Sequence, residues 1–169
     1  DVLLIVDESG SMTYSMGGDK ETNYTNSRWY NAKLAIQQLI DTLEKNDGLD
    51  MHYSIVTYSG SENDGTWNDA QTRVDWSPAA EFSISGNLTN PQERYSTGGG
   101  RLDYKPSGGT NYQAGLRKGA EQLKSKSARS DAEKVVLFLS DGKPTFYYDK
   151  NGETAGSGDE DADEDWGGN

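Results

Sequence analysis

Two runs of consecutive apolar residues frame the chain. Val2 to Val6 leads straight into Asp7-Glu8-Ser9-Gly10-Ser11, and Val135 to Leu139 leads into Ser140-Asp141-Gly142. Apolar runs of this length, each ended by turn chemistry, suit central strands buried on both faces, as in a parallel sheet. Between them the period changes. Ala32, Ala35, Ile36, Leu39 and Leu43 fall on one face of a helix, with Asn26 or Ser27 as its cap and Asn46-Asp47-Gly48 as its stop. Tyr112, Leu116, Gly119, Ala120 and Leu123 predict a second helix that begins near Thr110. Met51 to Tyr58 and Thr72 to Trp76 read as two further strands. The Gly-, Asn- and Asp-rich stretch 59–71 between them has no room for a crossover helix, so this pair is expected to be antiparallel.

Strand, helix, hairpin, helix, strand predicts an α/β fold, doubly wound around a mostly parallel sheet of order 3-2-1-4 with one antiparallel strand. Residues 13–26 are polar and read as a surface loop. Residues 79–109 carry no long period and read as a long loop with one helical turn. Phe146-Tyr147-Tyr148 continues the pattern briefly, Asp149-Lys150-Asn151-Gly152 is turn chemistry, and 159–165 is low-complexity acid, expected to be disordered. The division that follows is an ordered body over 1–148 and an acidic, Gly-rich loop or tail over 149–169.

Composition narrows the function classes. The net charge is −12, and residues 149–169 hold eight acids against Lys150 alone. No basic patch is present, which argues against nucleic acid or an anionic membrane as partner. Cysteine is absent, so disulfides and thiolate metal sites are excluded, and no apolar run is long enough to insert in a membrane.

The candidate chemistry sits where the apolar runs end. In open α/β sheets, ligands bind outside the carboxyl ends of the strands. Asp7, Ser9 and Ser11 present oxygen side chains at alternate positions, Asp141 ends the other apolar strand, and the loop before the second helix brings Thr110 to the same edge. Hard cations take such oxygen ligands, often with only one or two carboxylates. Each residue also has a plain structural reading. The aspartates can simply end strands, the serines can be turn residues, and Thr110 with Gln113 can form a capping box.

Taken together, DVLLIVDESGSM, Gly108-Gly109-Thr110-Asn111-Tyr112 and Leu139-Ser140-Asp141-Gly142 resemble the von Willebrand factor type A domain, whose signature is Asp-x-Ser-x-Ser after the first strand. The resemblance covers roughly residues 1–146. It implies a metal-ion-dependent adhesion site holding Mg2+, or Mn2+ or Ca2+. Ser9 and Ser11 would bind directly, Thr110 directly or through water, and Asp7 and Asp141 largely through water. The open coordination position would take a carboxylate of a partner protein, and no catalysis is implied. Long loops at 13–26 and 79–109, with no cysteine, are similar to Gram-positive surface and pilus-tip adhesins. That implies a secreted, cell-wall- or pilus-attached protein and a host matrix or cell-surface ligand. The family also has two further strands after the Asp turn. The apolar fourth strand would otherwise lie at an edge, so the remainder of the domain is expected to come from another segment or a partner chain.

Two other functions compete. An aspartyl phosphotransferase would use Asp7 as nucleophile, Thr110 and Lys143 on phosphate, and Asp141 on Mg2+, although its second carboxylate would be expected where Ser9 stands. An intracellular relative assembling with an ATPase would look the same at the metal site. A serine hydrolase lacks a base, because the single histidine, His52, lies in a predicted strand away from these loops.

Overall fold

The computed structural model describes residues 1–20, 23–46, 48–61, 65, 67–84, 102 and 106–157. A four-stranded sheet of order β3-β2-β1-β4 forms from β1 (Val2–Asp7), β2 (Tyr53–Tyr58), β3 (Ala70–Ser77) and β4 (Val135–Leu139). β1 is parallel to both β2 and β4, and β2–β3 is antiparallel, as the length of the 59–71 connection requires. Helices α1 (Arg28–Leu43) and α2 (Tyr112–Leu123) complete this layer structure. A short hairpin, β5 (Phe146–Tyr148) with β6 (Thr154–Gly156), follows β4. The expected turn after Tyr148 is its loop; the returning strand Thr-Ala-Gly carries no apolar signal that the sequence could show.

Strand β1 shows why an unbroken apolar run is needed. Val2, Leu4 and Val6 pack with Trp29, Ile36 and Ile40 of α1, whereas Leu3 and Ile5 pack with Val56, Tyr58 and Ala114 on the α2 side. Successive side chains point to opposite faces, so a strand covered on both sides must be apolar throughout. α2 lies close on the sheet through small residues. A Cβ on Gly119 would come within 2.5 Å of Ile5 Cδ1.

β4 stands at the sheet edge that the order 3-2-1-4 assigns to it. Its composition matches β1, but Val135, Val136 and Phe138 are 54%, 44% and 38% exposed. It pairs only with β1 and forms the sheet edge, so among the described residues its outer edge has no neighbour. The helix caps also sharpen the sequence reading. Ser27, not Asn26, caps α1 by accepting the Tyr30 N–H at 3.1 Å. α2 begins two residues after Thr110 and is capped by Asn111, whose Oδ1 accepts the Ala114 N–H at 3.1 Å. The single helical turn foreseen in 79–109 is the 3-10 turn Ala79–Glu81. Most of that loop, and the acidic run 159–165, lie outside the described residues. Among the described residues no helix is long and apolar enough to cross a membrane.

Candidate metal centre at the carboxyl edge of the sheet

The parallel register sets the site. Asp7 stands level with Tyr58, and Leu139 level with Val6, so Ser140 and Asp141 leave the sheet beside Asp7. Asp7 is fully buried, and its Oδ1 accepts the Ser9 N–H at 2.9 Å. Its Oδ2 accepts the hydroxyl of Ser140 at 2.9 Å and that of Tyr58 at 3.4 Å. Tyr58 also donates to the Leu139 carbonyl at 3.2 Å, and Tyr112 donates to the Gly142 carbonyl. Burial pushes the Asp7 carboxyl above its usual range; the hydrogen bonds from Ser9 and Ser140 oppose this and the nearby Asp141 charge adds to it. Burial pushes the Tyr58 phenol well up too, with Asp7 contributing, so Tyr58 stays a neutral donor.

The next two residues of the signature form a chain of oxygens. Ser9 Oγ and Ser11 Oγ are 3.0 Å apart, and Ser11 Oγ donates to Asp141 Oδ1 at 2.9 Å. Arg28 Nη1 donates to Asp141 Oδ2 at 2.5 Å. Glu8, between the two motif positions, is taken the other way by Arg73 of β3, at 2.9 Å.

Thr110 is brought in by backbone bonds between loops. Gly10 N–H donates to the Gly108 carbonyl at 2.8 Å and Ser107 N–H to the Glu8 carbonyl at 2.9 Å, which ties the Thr110 loop to the β1 turn. Gly109 N–H donates to the Gly60 carbonyl at 2.7 Å. The Thr110 N–H donates to Thr145 Oγ1 at 2.9 Å, and its carbonyl accepts the N–H groups of Thr145 and Phe146. Glycine is required twice here. Gly108 has φ +84° and a Cβ there would stand 2.7 Å from the Gly60 carbonyl oxygen, and a Cβ on Gly109 would stand 2.3 Å from the Phe146 ring.

Ser9, Ser11, Thr110 and Arg28 line a single cleft of about 440 Å3, with Gly108, Gly109 and Thr145 completing its wall. Asp7 and Asp141 are tied to that lining by the Ser9 N–H and the Ser11 hydroxyl. All five residues picked out by the sequence therefore meet at one edge of the sheet. The capping-box alternative for Thr110 is displaced, because Asn111 takes the cap and Gln113 Oε1 accepts the Tyr148 N–H at 2.9 Å. Four contributors escaped the sequence reading. Ser140 and Tyr58 were visible as strand-end residues with polar atoms; Arg28 and Thr145 carried no signal before the fold placed them.

The donor chemistry suits a hard cation. Among the described residues no three acidic or imidazole groups cluster, so any ion here would rely on neutral hydroxyls backed by two carboxylates. Such oxygens fit Mg2+, Mn2+ or Ca2+ and would not hold a thiophilic metal. His52 precedes β2 at the end of the strand opposite Tyr58, away from this cleft.

Residues 1–159 match the von Willebrand factor type A domain family. No curated protein matches the chain. Solved structures similar to it include the PilB minor pilin from Streptococcus sanguinis, at 23% identity and TM-score 0.61, covering 88% of this chain and 31% of that one. The pilus adhesin SpaC from Lactobacillus rhamnosus GG, in its open conformation, is 23% identical with TM-score 0.57, covering 93% of this chain and 17% of that one. The von Willebrand factor domain of the type V pili tip protein Mfa5 from Porphyromonas gingivalis is 18% identical with TM-score 0.56, covering 88% and 39%. At this identity what they share with the chain is the fold, and the chain spans well under half the length of each.

Proposed function

Because this chain belongs to the von Willebrand factor type A domain family, we propose that it is the metal-dependent adhesion module of a bacterial surface or pilus adhesin. The observation that carries this is the convergence of three separate segments: Ser9, Ser11 and Thr110 line one cleft, and Asp7 and Asp141 are hydrogen-bonded to Ser9 and Ser11. A divalent cation, Mg2+ or Mn2+ with Ca2+ as an alternative, would be held by Ser9, Ser11 and Thr110, with Asp7 and Asp141 behind them. Neutral hydroxyls leave much of the ion's charge uncancelled, so the ion would attract a carboxylate from a partner protein. The chain's own residues do the rest. Ser140, Tyr58 and the Ser9 N–H orient Asp7, and Asp141 accepts the Ser11 hydroxyl hydrogen, so that Ser11 accepts from the Ser9 hydroxyl and keeps one lone pair for another partner.

The similarity to pilin and pilus-tip structures supports the adhesin setting and an extracellular location on a pilus or cell wall; a host matrix or cell-surface protein is the ligand proposed for it. The phosphotransferase alternative is disfavoured by the position of Asp7. A nucleophilic carboxylate must meet its substrate in line, and Asp7 is fully buried with both oxygens engaged.

Isothermal titration calorimetry of the folded chain with Mg2+ and Mn2+ tests this reading. A single saturable site, lost in Ser9→Ala/Ser11→Ala, is expected, together with a rise in melting temperature on adding the ion. A folded sample with no saturable binding of either ion would overturn it.

A further inference from the structure

Asp141 serves two partners, one on each oxygen. Oδ1 accepts the Ser11 hydroxyl at 2.9 Å, and Oδ2 accepts Arg28 Nη1 at 2.5 Å. The Ser11 bond can persist when a cation sits on Ser11, because the proton and the lone pairs lie on different sides of the oxygen. The Arg28 bond is different. It occupies the second Asp141 oxygen, which is then not free for a cation or for a water bound to one. Among the described residues Arg28 is also the only cationic one lining the cleft. Its placement is fixed at the backbone: it is the first residue of α1, and its N–H donates to the Tyr14 carbonyl at 2.8 Å. The Arg28 and Asp141 side chains are 21% and 8% exposed, so water screens the pair less than it would at an open surface.

Resting on the cation site proposed above, we infer that Arg28 is a built-in competitor of that cation and sets its affinity. Two effects act with the same sign. The guanidinium holds the Asp141 oxygen by a charge-assisted bond, which the ion must break or share. Its positive charge, at the cleft wall, also opposes an incoming divalent charge across a partly shielded space. The oxygens alone would therefore bind a divalent ion more tightly than the site does with Arg28 in place. Arg28 acts chiefly through Asp141, with its charge adding a smaller direct effect, and is not a ligand.

The test is calorimetric titration of the full chain with Mn2+ after chelation, comparing wild type with Arg28→Gln. Gln keeps an amide donor near Asp141 and removes the charge. Arg28→Gln should bind Mn2+ about tenfold tighter, equivalent to about 1.4 kcal/mol. Arg28→Lys, which restores a point charge without the planar fork, should fall between the two. In an Asp141→Asn background the effect of Arg28→Gln should shrink to about threefold or less, since the shared partner is gone. Melting curves supply a second readout. In chelator Arg28→Gln should melt at or slightly below wild type, whereas in saturating Mn2+ it should melt above it. A merely structural role for Arg28 would lower both. If wild type binds Mn2+ and Arg28→Gln binds it equally or more weakly, the competitor role is wrong and the cation site stands. If both remain folded and neither binds, the cation site itself is wrong, and this inference with it.

Discussion

Replacing Gly109 with alanine separates the geometry of the Thr110 loop from its chemistry. The added methyl would stand 2.3 and 2.5 Å from two carbons of the Phe146 ring and 2.6 Å from Thr145 Oγ1. Ordinary carbon contacts lie near 3.5–4.0 Å, so an overlap of about 1 Å must be relieved. The ring has little freedom to yield. Phe146 is 7% exposed, and a Cβ on Gly60 would also lie 2.6 Å from it, so that backbone stands against the ring as well. Overpacking of this kind costs about 1–3 kcal/mol. The stiffer unfolded chain of an alanine variant returns about 0.4–1 kcal/mol. The net loss is about 1–2 kcal/mol, which in a chain of 169 residues lowers the melting temperature by about 2–8 °C. The displacement also passes to the site, because Thr145 Oγ1 accepts the Thr110 N–H and the Thr110 carbonyl holds Thr145 and Phe146. Divalent-ion affinity should therefore fall about tenfold, from a misplacement on the order of an ångström. Gly48→Ala is the matched control. A Cβ there meets nothing within 4 Å, so its melting temperature and ion affinity should stay at or slightly above wild type. Thermal melts in chelator and calorimetry with Mn2+ read both quantities. If Gly109→Ala melts and binds like Gly48→Ala, packing on Phe146 is not what places Thr110.

Asp7→Asn should make stability less dependent on pH. Burial raises the Asp7 carboxyl, so the folded protein keeps that proton to higher pH than the unfolded chain, and stability is lost as pH climbs from the ordinary carboxylate range through the raised value. In chelator the variant should melt above wild type at about pH 7.5, with the gap narrowing toward about pH 4; a gap that does not change with pH would reject this. Asn111→Ala removes the α2 cap and the 2.8 Å bond from Asn111 Nδ2 to the buried Asp69 carboxylate. It should cost about 2–4 kcal/mol in urea unfolding with an unchanged m-value, and a loss under about 0.5 kcal/mol would show that α2 finds another cap.

The sheet and most of the site were legible because they depend on patterns local in sequence. A strand covered on both faces must be apolar at every position, and Val2–Val6 is; the order 3-2-1-4 follows from which pairs are parallel and how short the third connection is. The five oxygen side chains were legible because each stands at a strand end or in a glycine turn, where the chain announces a change of direction. What was not legible is tertiary. β4 has the composition of a buried strand; its edge place followed from the order 3-2-1-4, but how far Val135, Val136 and Phe138 are exposed there depends on neighbours and not on the strand's own residues. Arg28 carried no signal, since nothing local shows that 113 positions later an aspartate will reach its guanidinium. Thr110 with Gln113 was open as a capping box, and the cap is Asn111, one residue on. Both types cap well, and only the bonds of Thr110 to Thr145 and Phe146 decide between them.

That Asn111 and not Thr110 caps α2 bears on function. A threonine that caps a helix spends its hydroxyl on a backbone N–H and has less to offer a ligand. Here Asn111 supplies the cap oxygen, its amide is spent on Asp69, and Thr145 takes the Thr110 N–H. The structural duties of the loop are thus met by neighbours, while Thr110 sits on the cleft wall beside Ser9 and Ser11. The same division recurs across the site. Ser140, Tyr58 and the Ser9 N–H satisfy Asp7, and Arg73 removes Glu8 to the other side. Asp141 is the exception, since its second oxygen is held by a cation of the chain itself, Arg28. If the cleft binds a divalent ion as proposed, the cost of loading it is concentrated at that one pair. The other supporting bonds, from Ser140, Tyr58 and Thr145, would need only to persist.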